Sequence, residues 1–185
     1  MAAADPGPLA YPAGPYGGQV GGVVDNFSLG GYFNPSTTTG LANGAAFDLF
    51  TFDQIRTSGA KYALIQLAAY WCGLCIHGAK VMGENAPTLV PKGGFLMGVL
   101  TEGNTPDTAA TIGNLDSWIK QVKAPYTYAL DEGSVGLENF FNRQRDTFII
   151  IDVSTMTVAQ IIAADGDAAV AALGQLLDQV QDPPK

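Results

Sequence analysis

The sequence has few residues of the kinds that bind metals, because its 185 residues include 2 cysteines and 1 histidine. A structural zinc site takes about four ligands, usually a cysteine pair joined by a second Cys or His pair. This chain has no second pair, which argues against a structural zinc site, and we expect no bound metal. Both cysteines belong to one short motif, so cysteine usage does not identify the redox compartment.

Positive charge is also scarce. Lys and Arg total 9 against 17 Asp and Glu, which gives a net charge of −8 and a pI near 4.3. Nucleic-acid phosphates require basic patches, and no Lys/Arg cluster occurs, so we expect no nucleic-acid partner. With 47% hydrophobic and 14% charged residues, the chain can bury one sizeable core and is predicted to be a soluble, acidic, single-domain protein.

Long apolar segments are absent as well. No run approaches the roughly 20 residues that cross a bilayer, and the first five residues, MAAAD, lack the layout of a signal peptide. We expect no membrane span, and either a cytosolic protein or an exported one whose leader has been removed. Residues 1–22 are rich in Gly, Pro and Tyr and predict a tether or an ordered arm, and residues 182–185 form a tail.

The most informative segment is 71–75, with the sequence WCGLC, which holds both cysteines and follows an apolar run over 62–70. Two thiols separated by two residues, where a strand gives way to a helix, can close into a disulfide and reopen with little backbone movement. A sulfur near a helix N-terminus is favoured as an anion, and the pKa of such a thiol falls from about 8.5 to roughly 3.5–7.5. Cys72 is therefore a candidate nucleophile, although an inert structural disulfide remains an alternative.

Periodicity and breakers predict a mixed α/β order. The first of the predicted elements are hairpin-like strands within 20–50, a short helix over 52–56, a buried central strand over 62–68, and a helix over 73–82 with Pro87 and Pro91 as breakers. Those that follow are a strand over 95–100, an amphipathic helix opening at Thr105–Pro106 and reaching Val122, a strand over 126–130, a helix over 134–141, strands over 147–151 and 157–162, and a terminal helix capped by Asp167.

These elements resemble the thioredoxin superfamily, and in particular the TlpA/ResA-like thiol-disulfide oxidoreductases, or redoxins, of bacterial cell envelopes. The resemblance rests on the apolar strand 64–68, the WCGLC segment 71–75, the strand ending at 149–152 and the terminal helix. It implies one thioredoxin-like domain over 23–181, with a central mixed sheet flanked by helices on both faces and an N-terminal β extension.

The same resemblance implies a reaction. Cys72 would be exposed and attack a disulfide, and Cys75 would be buried and resolve the mixed disulfide. The expected partners are protein thiols and disulfides, with no cofactor beyond the Cys72–Cys75 pair, and the expected protein is a monomer of the bacterial periplasm or envelope, with the cytoplasm as the other possibility.

Three departures from the family pattern concern the site. Asp146 stands where the family usually has a cis-proline beside the disulfide, and since a non-proline cis bond costs roughly 2.5–4 kcal/mol, we expect a trans bond with an altered substrate groove or a strained loop. A carboxylate there would also oppose formation of the Cys72 thiolate. Gln66 replaces a buried carboxylate that shuttles a proton to the resolving cysteine, and glutamine does not titrate. Gly73 and Leu74 lie inside the ring, where the dipeptide tunes the redox potential, so the direction of electron flow stays open.

Four further side chains are candidates for the surroundings of the site. Glu102, after the strand 95–100, is either a base for Cys75 or, as charged residues usually are, a solvated loop carboxylate. His77 lies two positions after Cys75 and so faces another side of the helix, which favours an exposed histidine with no role. Trp71 and Tyr70 are candidates for a docking surface, while core packing is preferred for Phe140 and Phe141.

Two other functions of the thioredoxin fold, copper delivery and peroxide reduction, fit the sequence less well. A non-enzymatic role competes with the oxidoreductase hypothesis. Thioredoxin-fold copper chaperones space their cysteines CxxxC, unlike this chain. The residues that cradle peroxide in peroxiredoxins would fall at Ile65 and Ala69, which cannot do that work. The competing hypothesis is a binding or structural module in which the 72–75 disulfide is a clasp and the N-terminal arm binds the partner.

Overall fold

A computed structural model describes residues 10–34, 46–131, 136–142 and 145–181 of the chain. The strands are β1 (Ser28–Tyr32), β2 (Asp48–Thr51), β3 (Tyr62–Ala69), β4 (Gly94–Glu102), β5 (Thr127–Leu130), β6 (Thr147–Asp152) and β7 (Thr157–Ala163). The helices are α1 (Phe52–Arg56), α2 (Gly73–Leu89), α3 (Ile112–Val122), α4 (Leu137–Phe141) and α5 (Gly166–Gln181). A 3₁₀ turn, Val90–Lys92, follows α2.

The strands form one sheet in the order β2-β1-β5-β4-β3-β6-β7. Its centre is parallel, because β4 pairs in parallel with both β3 and β5. The flanking strands run antiparallel, with β6 and β7 on one side and β1 and β2 on the other. This is the predicted mixed sheet, and β1 and β2 supply the expected N-terminal β extension, although residues 35–45 of its connection lie outside the described residues.

Each face of the sheet is covered by helices, as predicted for a fold with parallel strands. On one face α2, α3 and α5 bury Ala79, Trp118 and Leu173 against the sheet. On the other face α1 and α4 bury Phe52 and Phe141. The two hydrophobic clusters sandwich the central strands, which explains why β3 and β4 are apolar along almost their whole length.

The alternation of β3 decides where its one polar side chain lies. Leu64 and Ala68 point toward α2, whereas Ile65 and Leu67 point toward the opposite cluster. Successive strand side chains face opposite sides of a sheet, so Gln66 lies on the same side as Leu64 and Ala68. It is fully buried there. Strand register therefore places an amide directly beneath the helix that carries both cysteines.

The helix after the cysteines is longer than predicted. It runs 17 residues, to Leu89, with Pro87 inside it, so the expected end near Met82 was wrong. Proline removes one backbone hydrogen bond from a helix, but Met82, Ala86 and Leu89 are all buried in the core. Their burial offsets the missing bond, and the helix ends only at the turn that contains Pro91.

The predicted start of α3 was also wrong. The helix begins at Ile112, with Thr111 as the N-cap in a capping box with Asn114. The Thr105–Pro106 pair instead opens a tight turn, in which the Thr108 hydroxyl donates to the Thr105 carbonyl at 2.6 Å. The N–H and the hydroxyl of Thr105 both donate to the Thr108 hydroxyl, at 3.3 and 3.5 Å. Thr105 is therefore bonded within a turn and does not cap a helix.

The ends of α4 and α5 refine two other predictions. α4 is described from Leu137, and the predicted start at Ser134 lies outside the described residues. At α5 the cap is Asp165, whose carboxylate accepts the N–H of Ala168 at 2.8 Å, whereas the predicted cap Asp167 lies in the first turn. In the part of the chain that the structure describes, none of these helices combines the length and apolarity needed to cross a bilayer.

The described part of the N-terminal segment, 10–22, is an arm packed on the domain. The N–H of Gly21 donates to the Val158 carbonyl at 2.8 Å, and the N–H of Val158 donates to the Gly22 carbonyl at 2.9 Å. The Tyr11 hydroxyl donates to the Val24 carbonyl at 2.9 Å. The first two bonds pair residues 21 and 22 with the outer edge of β7, and the third joins the arm to residue 24.

Candidate active site

The two cysteines lie where β3 gives way to α2. Cys72 is the N-cap of α2, and its sulfur accepts the backbone N–H of Cys75 at 3.1 Å. The two residues form a disulfide. Cys72 is half-buried, while Cys75 is fully buried against the core. One sulfur thus faces the surface at a helix N-terminus, and the other lies beneath it.

The residues around Cys72 are open to solvent. Trp71 is 36% exposed and Leu74 is 66% exposed. A Cβ added to Gly73 would meet no heavy atom of its surroundings within 4 Å, so there is open space at the residue that follows Cys72. An extended peptide can therefore approach Cys72 from this side.

Trp71 is held by two charged residues from distant parts of the sequence. Its indole N–H donates to Glu102 Oε2 at 2.9 Å. The guanidinium of Arg145 lies over the indole ring, 4.4 Å from the ring centre, and Arg145 also pairs with Glu102 at 3.3 Å. Cation–π stacking and a charge-assisted hydrogen bond together orient the ring beside Cys72.

Glu102 does not lie in a solvated loop, which was one of the two predictions for it. It ends β4 and is only 7% exposed. Its carboxylate oxygens are engaged by Trp71 and Arg145, which makes it a residue that positions Trp71. Sequence reasoning did not find Arg145, because nothing in the local pattern around 145 signals that it meets residues 71 and 102.

We predict that removing the Glu102 carboxylate loosens Trp71. In Glu102→Ala the indole loses its acceptor and Arg145 loses its ion partner, so acrylamide quenching of Trp71 fluorescence should increase and its emission should shift to the red. The other tryptophan, Trp118, is 1% exposed and should contribute little change. Steady-state quenching of the oxidised protein measures this.

Two variants serve as controls for that prediction. Glu102→Gln keeps an oxygen that accepts the indole N–H and should give an intermediate result. Glu84→Ala removes an exposed carboxylate from α2 and should leave quenching unchanged. Equal quenching of wild type and Glu102→Ala would show that the carboxylate does not hold the ring.

Gln66 lies directly behind the disulfide. Its Nε2 donates to the Cys75 carbonyl at 2.9 Å. Its Oε1 is buried and has no hydrogen-bond partner among the described residues. Since buried side-chain polar atoms are nearly always paired, this oxygen is an unusual feature of the site.

Asp146 lies next to Gln66 at the start of β6. Its backbone N–H donates to the Leu67 carbonyl and its carbonyl accepts the N–H of Ala164, both at 2.7 Å. The bond from Arg145 to Asp146 is not cis, and the residue has a left-handed φ of 57°. The bond is thus trans, and the left-handed backbone at Asp146 corresponds to the strained-loop alternative of the prediction.

The carboxylate of Asp146 is buried as well, with 8% of the residue exposed. Burial raises the pKa of Asp146, while a hydrogen bond from Gln66 and the nearby charge of His77 act in the opposite direction. His77 is exposed on α2, as expected, and its charge acts on this carboxylate. The structure therefore brings Cys75, Gln66, Asp146 and His77 to one place.

The sequence and the fold can be compared with known proteins. No protein-family model and no curated protein matches the sequence. Among solved structures, a candidate protein disulfide isomerase from Bacteroides thetaiotaomicron is similar with a TM-score of 0.63 and 14% identity, covering 89% of this chain and 92% of that one. The chain has the thioredoxin-like fold.

Two more solved structures share the fold. A candidate thiol:disulfide interchange protein DsbE from Chlorobium tepidum has a TM-score of 0.61 and 17% identity, covering 90% of this chain and 98% of that one. The mitochondrial 2-Cys peroxiredoxin from Plasmodium falciparum has a TM-score of 0.65 and 11% identity, covering 90% and 99%. Such low identities establish the fold alone, so the reaction has to be argued from the site.

The thioredoxin-like domain offers no obvious metal centre in its described part. Across residues 10–34, 46–131, 136–142 and 145–181, no group of three or more His, Cys, Asp or Glu side chains is placed to hold an ion. The chemistry available at the site is that of one disulfide, two buried carboxylates, one buried amide and an exposed imidazole.

Proposed function

We propose that this protein is a thiol-disulfide oxidoreductase that exchanges a dithiol for a disulfide with protein partners. The observation that carries the proposal is the asymmetry of the two sulfurs: Cys72 caps the N-terminus of α2 at the surface, and Cys75 is fully buried beneath it. A helix N-terminus favours the thiolate, which is the attacking species. The buried partner can react only with Cys72.

The reaction follows from that arrangement. The Cys72 thiolate attacks one sulfur of a partner disulfide, which forms a mixed disulfide and releases the other partner sulfur as a thiolate. Cys75 then loses its proton and attacks the Cys72 sulfur. This closes the 72–75 disulfide and releases the second partner thiolate, so the partner gains two electrons and the protein loses two. The reverse sequence oxidises a partner dithiol.

The surface around Cys72 supports a protein partner. Trp71 and Leu74 present apolar area beside the attacking sulfur, and Gly73 leaves the approach open. Trp71 is also preordered by Glu102 and Arg145, which reduces the entropy that a docking side chain loses on binding. No bound cofactor is needed, because the disulfide itself carries the electrons.

Within the thioredoxin-like fold, we assign the protein to the TlpA/ResA-like envelope group. This assignment rests on the WCxxC motif and agrees with the likeness to the DsbE candidate. Placement in the periplasm or envelope, and a monomeric state, are parts of the same proposal. A peroxidase is not favoured despite the peroxiredoxin neighbour, since Ile65 and Ala69 lie in β3 and offer no polar group to a peroxide.

One pair of observations favours the alternative, a binding module with an inert clasp. Asp146 replaces the proline expected beside the disulfide, and Gln66 replaces the expected buried acid. If these changes abolished exchange, the fold and the disulfide would remain and only a structural role would be left.

An equilibrium redox titration in glutathione buffers tests the proposal, with Trp71 fluorescence as the signal and mass spectrometry to count thiols. We expect a reversible two-electron transition between roughly −270 and −120 mV, the span from thioredoxin to a strong oxidant. Cys72→Ser should show none. A disulfide well below about −300 mV, or no reversible transition, would leave only the structural clasp.

A further inference from the structure

A buried polar pair lies behind the disulfide and has no part in the exchange scheme above. Gln66 Oε1 is an acceptor without a partner among the described residues, inside a residue that is fully buried. The Nε2 of the same amide is bonded to the Cys75 carbonyl at 2.9 Å, which fixes the orientation of the side chain. The free oxygen therefore lies on the side of Gln66 away from the Cys75 carbonyl.

Asp146 completes the pair. Its side chain hydrogen-bonds with Gln66, and its backbone is bonded to Leu67 on β3 and to Ala164 after β7. A buried carboxylate in left-handed backbone is costly. The surrounding strands nevertheless hold it beside Gln66, whose amide is bonded to the Cys75 carbonyl.

The exchange chemistry requires a proton acceptor at this point. Cys75 is fully buried, and an ordinary thiol has a pKa near 8.5, raised further in apolar surroundings. Before Cys75 can attack the Cys72 sulfur, its proton must leave to a group inside the protein. His77 is exposed on α2, and the buried carboxylate of Glu102 is engaged by Trp71 and Arg145. Asp146 is the buried carboxylate that interacts with Gln66 behind Cys75.

We propose that Asp146 accepts the proton of Cys75 when the mixed disulfide is resolved, with Gln66 as the residue that positions the path between them. The inference rests on the function proposed above. The proton moves from the Cys75 sulfur to the Asp146 carboxylate, past the Gln66 amide that is bonded to the Cys75 carbonyl and interacts with Asp146. Cys75 then attacks the Cys72 sulfur, the bond to the partner breaks, and the partner sulfur leaves as a thiolate.

The electrostatics of the site agree with this role. Burial raises the pKa of Asp146, although the hydrogen bond from Gln66 and the charge of His77 oppose that rise. A carboxylate with a raised pKa is a stronger base and holds a proton better near neutral pH, as general bases do. The carboxylate is thus tuned in the direction that the step requires.

A single-turnover reaction of the reduced protein with dithiobis-nitrobenzoate separates the two steps. The first nitrothiobenzoate released reports attack by Cys72, and the second reports resolution by Cys75. For Asp146→Asn we expect resolution to slow by about 10²-fold at neutral pH, the lower end of general-base effects, with the attack step unchanged. Near pH 9 the two proteins should converge, because the Cys75 thiol then ionises without help.

Two further variants separate a proton-accepting role from a structural one. Asp107→Asn is the matched control, because Asp107 is exposed and has a left-handed φ of 60°, and it should resolve within about twofold of wild type. The exchanged pair Gln66→Glu with Asp146→Asn returns a carboxylate to the site at the neighbouring position. The resolution step of this double variant should be at least about tenfold faster than that of Asp146→Asn, which is half of the expected 10²-fold loss on a logarithmic scale.

The outcomes are distinguishable. A resolution rate of Asp146→Asn within about twofold of wild type at every pH would overturn the inference. Equal slowing of resolution at all pH values would also overturn it. So would an effect confined to the attack step, because Asp146 would then act on Cys72. If wild-type protein releases only one nitrothiobenzoate, the proposed function itself fails and this inference falls with it.

Discussion

Cys75→Ser is expected to trap a partner protein on Cys72, and Cys72→Ser is expected to abolish exchange completely. Cys72 is the sulfur within reach of a partner, whereas Cys75 is fully buried. Without Cys75 the mixed disulfide has no resolving thiol and accumulates. Without Cys72 the remaining thiol cannot meet a partner disulfide, so neither attack nor resolution occurs.

The measurement is incubation of each reduced variant with a protein that carries mispaired disulfides, followed by non-reducing electrophoresis and peptide mass spectrometry. Cys75→Ser should give an adduct that joins residue 72 to the substrate and disappears with reductant. Cys72→Ser is the control and should give none. An adduct through residue 75, or full turnover by Cys75→Ser, would contradict the assignment of the two sulfurs.

Gly78→Ala is expected to destabilise the fold by about 1–3 kcal/mol, the usual cost of overpacking a core. A Cβ at this position would lie 2.6 Å from Phe148 Cζ and 3.0 Å from Gln66 Nε2. The opening of α5 adds to the crowding, because a Cβ on Gly166 would lie 2.9 Å from the Gly78 Cα. The phenylalanine is fully buried and has little room to move.

Gly113→Ala is the matched control. Gly113 lies in the exposed first turn of α3, and a Cβ there would meet only the Thr111 hydroxyl, at 3.7 Å. Alanine is favoured over glycine in helices by up to about 1 kcal/mol, so this variant should be neutral or stabilised. Urea unfolding of the oxidised proteins gives both values. A Gly78→Ala protein as stable as wild type would mean that α2 and β6 can separate without cost.

Local patterns in the sequence predicted most of the elements and the centre of the site. The apolar run over 62–68 became β3, the WCGLC segment became a strand-to-helix junction with a disulfide, and the strands β6 and β7 were confirmed. These features depend on neighbours in the chain, because strand alternation, helix periodicity and a CxxC spacing are all properties of short segments. The fold class followed from their order.

The errors occurred where a local signal was outweighed, once by packing and once by a neighbouring turn. Pro87 predicted a break, but the buried residues around it carry α2 on to Leu89. Thr105 predicted a cap, but its turn with Thr108 moved the start of α3 to Thr111. At Pro87, contacts with distant residues decided the outcome, whereas at Thr105 a local turn did.

The surroundings of the disulfide were within reach of the sequence only in part. Gln66 and Asp146 were identified as departures from a family pattern, but their contact with each other was not predicted. Glu102 was identified without its true surroundings, and Arg145 was missed. The bonds that join Trp71, Glu102 and Arg145 link residues 31 and 43 positions apart, and no spacing rule covers such distances.

The sequence by itself determined the cysteine pair, the fold class and the buried strands, because each of these is specified by residue type and short-range spacing. The tertiary structure alone decided that Trp71 is clamped by Glu102 and Arg145, that Gly78 must lack a side chain, and that Gln66 and Asp146 meet behind Cys75. The physical reason is that burial, close contact and the pKa of a carboxylate depend on which strands and helices pack together. That packing is a property of the whole chain.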